Sequence, residues 1–128
     1  MTSIKTHRLT RDMLNREIDR IFDFVGMPPH LSGYRYLHNA IVIAYDEPER
    51  MRYIIRDVYA KVAEMCGTTT ERVERSGRTA LSFVSVARID EMLNRRCLRQ
   101  TITMKGFITL LVNYLRYFEP SSAIDYVK

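Results

Sequence analysis

The sequence lacks tryptophan and is poor in glycine, proline and cysteine, with five, four and two of these in 128 residues. So few chain breakers argue against a loop-rich or low-complexity protein. Cys66 and Cys97 are far apart, with no CxxC or Cys/His cluster, so the spacing indicates neither a zinc site nor a disulfide framework. No run approaches the roughly 18 apolar residues of a membrane helix, and the first ten residues lack a signal peptide's apolar stretch. We therefore expect a cytoplasmic protein that needs no metal or cofactor.

The composition nevertheless supports one hydrophobic core and a basic surface. Apolar residues make up 46% of the chain, enough for one domain. Lys and Arg exceed Asp and Glu by 20 to 15, which gives a formal charge of +5, and sixteen of the twenty bases are arginines. The planar arginine fork can bind phosphate or guanine with two hydrogen bonds, which suits a polyanionic partner, although a solvated basic face explains the charge equally well.

Apolar residues recur at helical spacing along most of the chain, and no segment shows the alternation of a strand. We predict an all-α, compact domain of six helices over residues 11–118, with tails at 1–10 and 119–128. The first two helices are expected at 11–25, after a Thr10 cap, and from a Ser32 cap to about Asp46. A short fifth helix should contain Ile89, and the last should run from Met104 to Phe118.

The predicted third helix begins with an Asp46 to Glu49 capping box. Its apolar stripe runs to Gly67 and includes Ile55 and Met65, and the pattern does not decide between one long helix and two shorter ones that meet near Ala60. A second capping box, Thr68 to Glu71, begins the fourth helix.

Residues 58–85 have the parts of a helix-turn-helix: a support helix, a turn with glycine and a second helix with a polar outer face. At 100° per residue, the core side of this second helix, expected at about 69–85, carries an apolar set: Val73, Gly77, Ala80, Leu81 and Val84. The opposite side carries polar residues, with Arg72 and Glu74 on its flanks: Glu71, Arg75, Arg78, Thr79 and Ser82.

This polar face fits the major groove chemically. Arginine can donate two hydrogen bonds to guanine and a carboxylate can accept from cytosine, so Arg75 and Glu74 are candidate readers of neighbouring G·C pairs. The alternative is that the face is merely solvated, because Glu71 with Arg75 and Glu74 with Arg78 have the spacing of intrahelical ion pairs.

Three segments resemble the C-terminal effector domain of the stage-zero sporulation regulator protein A family: Gly33 to Leu37, Ala63 followed by Thr68 and Thr69, and Arg72 to Arg75 with Arg78 and Ala80. The likeness extends from about Ile18 to Leu115. It implies a six-helix transcription-factor domain that binds a short G·C-containing promoter box, often as tandem copies on direct repeats.

By that resemblance, Glu74 and Arg75 match base-reading positions, and Thr68, Thr69, Arg72 and Arg78 match positions of backbone or neighbouring contacts. Lys61 and Thr79 are added here as candidate backbone contacts. Two positions differ from what the resemblance leads us to expect. Position 77 is glycine where we expect a better helix former, and position 60 is alanine where we expect proline. No phosphoacceptor receiver domain is present in these 128 residues, so the resemblance does not extend to control by phosphorylation.

We therefore expect a sequence-specific regulator that binds double-stranded DNA, as a homodimer or in tandem, with no small-molecule substrate. The alternatives are a protein-interaction module that modulates a full-length regulator through the last helix, and nonspecific nucleic-acid binding. An enzyme is not expected, because His7, His30 and His38 are scattered without a placed nucleophile. The acidic residues of the first helix, Asp12, Asp19 and Asp23, are interleaved with arginines and are expected to form a solvated face.

Overall fold

The structure, a computed structural model, describes residues 8–94 and 101–118, and these ranges contain helices and no strand. Six α-helices follow one another: α1 (Arg11–Val25), α2 (Ser32–Asp46), α3 (Ala60–Cys66), α4 (Thr70–Leu81), α5 (Val86–Met92) and α6 (Met104–Arg116). A 3-10 segment (Pro48–Tyr53) and a π segment (Ile55–Tyr59) connect α2 to α3. The all-α six-helix prediction is confirmed within these ranges.

Helix α1 has the predicted bounds, because its two ends are specified locally. The Thr10 hydroxyl accepts a hydrogen bond from the Met13 amide, and Gly26 ends the helix in the left-handed conformation. The apolar residues that recur at helical spacing along α1 are all buried: Leu14, Ile18, Ile21, Phe22 and Val25. Residues just before α1 belong to the packed domain too, since Leu9 is 7% exposed and its amide donates to the Tyr45 hydroxyl.

Two predicted caps are wrong. Ser32 is the first residue of α2 and makes no capping bond, since Leu31 holds the cap position. Asp46 is the last residue of α2 rather than the start of the next helix. Its carboxylate is instead bound by Arg11, at 2.7 Å, and by Arg8, at 3.2 Å, so it is not available to cap.

Residues 48–66 are helical almost throughout, but the helix type changes twice. The backbone stays in the right-handed region at Ile54, Tyr59 and Ala60, so the segment continues through Ala60 without a break. The tight 3-10 segment and the wide π segment rotate side chains out of the 3.6-residue phase. Predicted members of the apolar stripe, Ile55 and Met65, are consequently each 54% exposed, whereas Val58 and Val62 are buried.

Helix α2 is the central element of the core and makes its closest approach at its first turn. A Cβ atom added at Gly33 would lie 2.1 Å from the Ser76 carbonyl oxygen and 2.8 Å from the Ala80 Cβ. Only glycine therefore lets the backbones of α2 and α4 come this close. The first turn of α2 fixes where α4 sits.

Helix α6 covers α4 from another direction. The apolar residues that recur at helical spacing along this segment are all buried: Met104, Phe107, Ile108, Leu111, Leu115 and Phe118. The Met104 side chain fills the space beside Gly77, where an added Cβ would lie 2.4 Å from the Met104 Cε. Gly77 thus accommodates a packed side chain within α4.

Several parts of the predictions fall outside the described residues: the tail at 119–128, residues 1–7 of the tail at 1–10 with His7, and Cys97. In the described part of the chain, no helix is long and apolar enough to cross a membrane.

Candidate nucleic-acid interface

Helices α3 and α4 are packed against each other across a tight turn. Helix α3 ends at Gly67, where the Thr68 amide donates to the Ala63 carbonyl at 2.9 Å. The Thr69 hydroxyl then accepts from the Arg72 amide at 3.2 Å and begins α4. The predicted cap at Thr68 is thus one residue early, and α4 ends at Leu81 rather than near residue 85. The arrangement is a support helix, a turn and a second helix.

One side of α4 is seated in the core. Val73 and Ala80 are 0% exposed, Leu81 is 7% exposed, and Gly77 is buried under Met104. These are the residues that the helical projection places on the core side. Val84 is half-buried and lies beyond the end of the helix.

The opposite side of α4 is open to solvent. The predicted outward residues are all exposed: Glu71, Arg75, Arg78, Thr79 and Ser82. Of the two flanking residues, Arg72 is exposed, whereas the Glu74 side chain is 32% exposed. The face therefore presents three arginines on one solvent-facing surface.

Of the two predicted ion pairs, one forms. Arg78 Nη2 lies 3.4 Å from Glu74 Oε2, and its side chain remains 62% exposed. Arg75 makes no ion pair with any described residue, and Glu71 makes none either. Within residues 8–94 and 101–118, the Arg75 donors thus have no partner, whereas Glu74 forms an ion pair with Arg78 one turn away.

The remaining predicted contact residues lie on α3, on α4 and in the turn between them. Thr69 is exposed with its hydroxyl used as the cap, and Thr68 is half-buried in the turn. Lys61 is exposed at the start of α3. The Thr79 hydroxyl donates to the Arg75 carbonyl at 3.1 Å. The structure brings these groups to the two helices of the motif and their turn.

A buried tyrosine also lies near this face. Tyr59 is 3% exposed at the end of the π segment, which packs against α4. Burial and the Glu74 carboxylate raise the pKa of Tyr59 to about 12, and the Arg78 guanidinium opposes the rise. The phenol therefore lies within electrostatic reach of the Glu74 to Arg78 pair. The π segment that places Tyr59 beside α4 cannot be recognised from the spacing of apolar residues in the sequence.

The other charged groups that the sequence brings to notice do not form a site. Asp12, Asp19 and Asp23 are exposed on α1. Asp19 accepts from the Tyr34 hydroxyl at 2.8 Å and lies 3.4 Å from His38 Nε2, so it ties α1 to α2. Nowhere in 8–94 and 101–118 do three His, Cys, Asp or Glu side chains form a group that could hold a metal ion.

The family comparison agrees with this geometry. Residues 18–115 match the family model described as Sporulation initiation factor Spo0A C terminal. The chain belongs to this family. The match includes α2, α3, α4, α5 and nearly all of α6. As a Spo0A C-terminal domain the protein is a DNA-binding domain of sporulation transcription control, and its macromolecular partner is double-stranded DNA. The family is regulatory rather than catalytic.

Proposed function

We propose that this Spo0A C-terminal domain is a sequence-specific transcription regulator that inserts α4 into the major groove. The observation that supports this most directly is Arg75, which is exposed on the side of α4 opposite the buried stripe and makes no ion pair with any described residue. A recognition helix needs a rigid seat and free donors on its outer face. Helix α4 has both, because its inner face is packed by α2 and α6.

Arg75 and Glu74 are the proposed base readers. Arg75 would donate to O6 and N7 of a guanine, and Glu74 would accept from a cytosine amino group. Their adjacency on α4 fits neighbouring G·C pairs. Glu74 can either exchange its ion pair with Arg78 for a hydrogen bond with a base or keep both, because its side chain is 32% exposed.

The remaining face residues are proposed to bind the phosphate backbone and set the position of α4, whereas the readers supply sequence preference. These residues are Lys61, Thr68, Thr69, Arg72, Arg78 and Thr79. We expect the domain to bind as tandem copies on direct repeats or as a homodimer.

In-vitro selection from a random duplex pool tests the proposal. The expected result is an enriched motif that contains G·C pairs. If selection enriches no motif and binding depends strongly on salt concentration, the domain is a nonspecific nucleic-acid binder. A pool without a motif, together with co-purification of a full-length regulator, would instead identify an interaction module.

Single-residue variants then distinguish residues that read bases from residues that bind the phosphate backbone. Arg75→Ala should lose the preference at one base pair, about 1–3 kcal/mol of discrimination, and should bind sites that differ there equally. Arg78→Ala should weaken binding to all sequences and lower the slope of log K against log salt by about one unit. Arg16→Ala, which removes an exposed arginine from α1, is the matched control and should change neither. An Arg75→Ala domain that keeps the parent's ranking of sites would refute the reading role.

A further inference from the structure

Helix α4 is supported near the middle of its inner face by two contacts of different kinds. On one side, the first turn of α2 meets its backbone, since a Cβ atom added at Gly33 would lie 2.1 Å from the Ser76 carbonyl oxygen. On the other side, the support is a single side chain, since a Cβ atom added at Gly77 would lie 2.4 Å from the Met104 Cε and 2.8 Å from its Sδ. The backbone contact cannot adjust by rotating a side chain, whereas the other contact depends on how one flexible side chain is placed.

The position of Gly77 makes this second contact relevant to DNA binding. Gly77 lies in α4 between the proposed readers, Glu74 and Arg75, and the proposed phosphate contact, Arg78. A glycine inside a helix has no side chain to pack and the greatest backbone freedom, so α4 has the least intrinsic rigidity between its two groups of contact residues. The Met104 side chain occupies the space that a side chain at position 77 would have filled. Helix α6 thus supplies the packing that α4 itself lacks.

Met104 extends from a backbone that is held firmly in place. It is the first residue of α6 and is 6% exposed. The Thr103 hydroxyl caps this helix by accepting from the Gly106 amide at 3.0 Å. Three residues after Met104, Phe107 is 0% exposed, and its ring centroid lies 5.8 Å from that of Phe22 in α1. Because α6 is anchored to the rest of the core, Met104 can fix the position of α4 rather than follow it.

We propose that Met104 is a positioning residue for DNA reading: its side chain, packed against Gly77, holds α4 in the orientation at which Glu74 and Arg75 meet adjacent base pairs. Side chains of a binding site must be held within about 0.5 Å of their productive positions, so a small shift of α4 weakens both base contacts. The proposal rests on the function proposed above for α4. It adds a specificity role for a residue of α6 that packs against the inner side of the recognition helix.

The first test is Met104→Ala, measured on duplexes that differ at single positions of the selected motif, at a temperature at which the variant is folded. The preferences at the Glu74 and Arg75 base pairs should fall together, by about three- to tenfold each, because the whole helix loses its support. Arg75→Ala, in contrast, should remove the preference at one base pair only. If Met104→Ala lowers stability and leaves both preferences unchanged, Met104 is only structural and the proposal is overturned.

Leu115→Ala is the matched control. Leu115 is 0% exposed on the same helix, eleven residues, or about 16 Å of helix, beyond Met104. Its neighbour Arg116 donates to the Tyr45 carbonyl, at the end of α2 opposite to Gly33. Truncation of a buried leucine or methionine to alanine costs comparable stability, so both variants should be destabilised. Only Met104→Ala should lose base preference, and an equal loss in Leu115→Ala would refute a specific role for Met104.

Gly77→Ala tests the same contact without a large loss of stability, and it keeps the proposal testable if Met104→Ala does not fold. In the parent, the added methyl group displaces the Met104 side chain or α4, so both base preferences should fall. In the Met104→Ala background, the methyl group enters the vacated space and should instead recover part of the lost preference. A Gly77→Ala substitution that leaves the preferences of the parent unchanged, or that acts equally in both backgrounds, overturns the proposal.

Amide hydrogen exchange in the free domain separates this inference from the proposed function. In Met104→Ala, the amides of α4 should exchange about tenfold faster relative to those of α2, and in Leu115→Ala this ratio should stay unchanged. An unchanged ratio in Met104→Ala overturns the positioning role even when DNA selection succeeds. A raised ratio with no selected motif would leave Met104 as a support of α4 and refute the base-reading function on which the proposal rests.

Discussion

The contact between the first turn of α2 and α4 gives the sharpest stability prediction, through Gly33→Ala. The added methyl carbon would lie 2.1 Å from the Ser76 carbonyl oxygen and 2.7 Å from its carbonyl carbon, both of them backbone atoms. Ordinary contact begins near 3.4 Å, so the two helices must separate by about 1.3 Å at this point. Neither helix can relieve the clash by rotating a side chain.

The expected loss of stability in Gly33→Ala follows from two opposing effects. Overpacking of a well-packed core costs about 1–3 kcal/mol and sometimes more, while replacing glycine by alanine inside a helix gains about 0.5–1 kcal/mol. Since the clash involves backbone, we take the upper part of the first range. Gly33→Ala should therefore lower the free energy of unfolding by about 2 kcal/mol, which for a domain of this size is a fall in Tm of roughly 8 °C.

Gly77→Ala is the matched comparison, because it is also a buried helical glycine with a close neighbour. There the close atoms are the Met104 Cε at 2.4 Å and Sδ at 2.8 Å, the far end of a flexible side chain. Met104 can adopt another rotamer, so the change in stability should stay within about 1 kcal/mol of zero. Urea unfolding followed by circular dichroism measures both variants. A Gly33→Ala domain as stable as Gly77→Ala would refute the close backbone approach.

Three further predictions follow from single contacts. Thr69→Ala should cost about 1 kcal/mol of stability by removing the α4 cap, whereas Thr68→Ala should cost less, as measured by urea unfolding. Because the pKa of Tyr59 is higher in the folded state than its ordinary value of 10, stability should be complete below pH 10 and fall towards pH 12, and Tyr59→Phe should flatten that fall in thermal melts at graded pH. Lys61→Ala should reduce the salt slope of DNA binding by about one unit without changing the ranking of sites; a changed ranking would contradict a phosphate contact.

The sequence predicts helices well where a cap and an unbroken 3.6-residue stripe agree. Helix α1 has Thr10 and Gly26 at its ends and one regular stripe, and its bounds are confirmed. Helix α6 has a regular stripe and Thr103 as its cap. The inner and outer faces of α4 are also confirmed, since a helical projection needs only the period.

The errors lie where a tertiary partner competes for a local signal. Asp46 has the sequence of a capping residue, but Arg8 and Arg11 bind its carboxylate from a segment 35 or more residues away. The apolar pattern predicts regular helix over residues 48–59, because a 3-10 turn followed by a π turn leaves a spacing of apolar residues that still looks periodic. The π segment is supported by Arg50, which donates to the Asp57 carbonyl at 2.8 Å. No short-range pattern specifies that bond.

Glu74 can form an ion pair with Arg78 in the free domain and still read a base when DNA binds, as a comparison of the two interaction energies indicates. An exposed glutamate and arginine one turn apart stabilise a helix by about 0.2–0.5 kcal/mol, and salt screens the interaction. A hydrogen bond to a charged group, such as one from a cytosine amino group to the Glu74 carboxylate, contributes about 1.5–3 kcal/mol. The Glu74 to Arg78 pair is therefore too weak to prevent Glu74 from binding a base, yet strong enough to bias its orientation in the free domain. Because Arg75 has no such partner among the described residues, its guanidinium can bind a guanine without first breaking an ion pair with them. The base preferences supplied by Arg75 and by Glu74 should therefore differ in how strongly they depend on salt concentration.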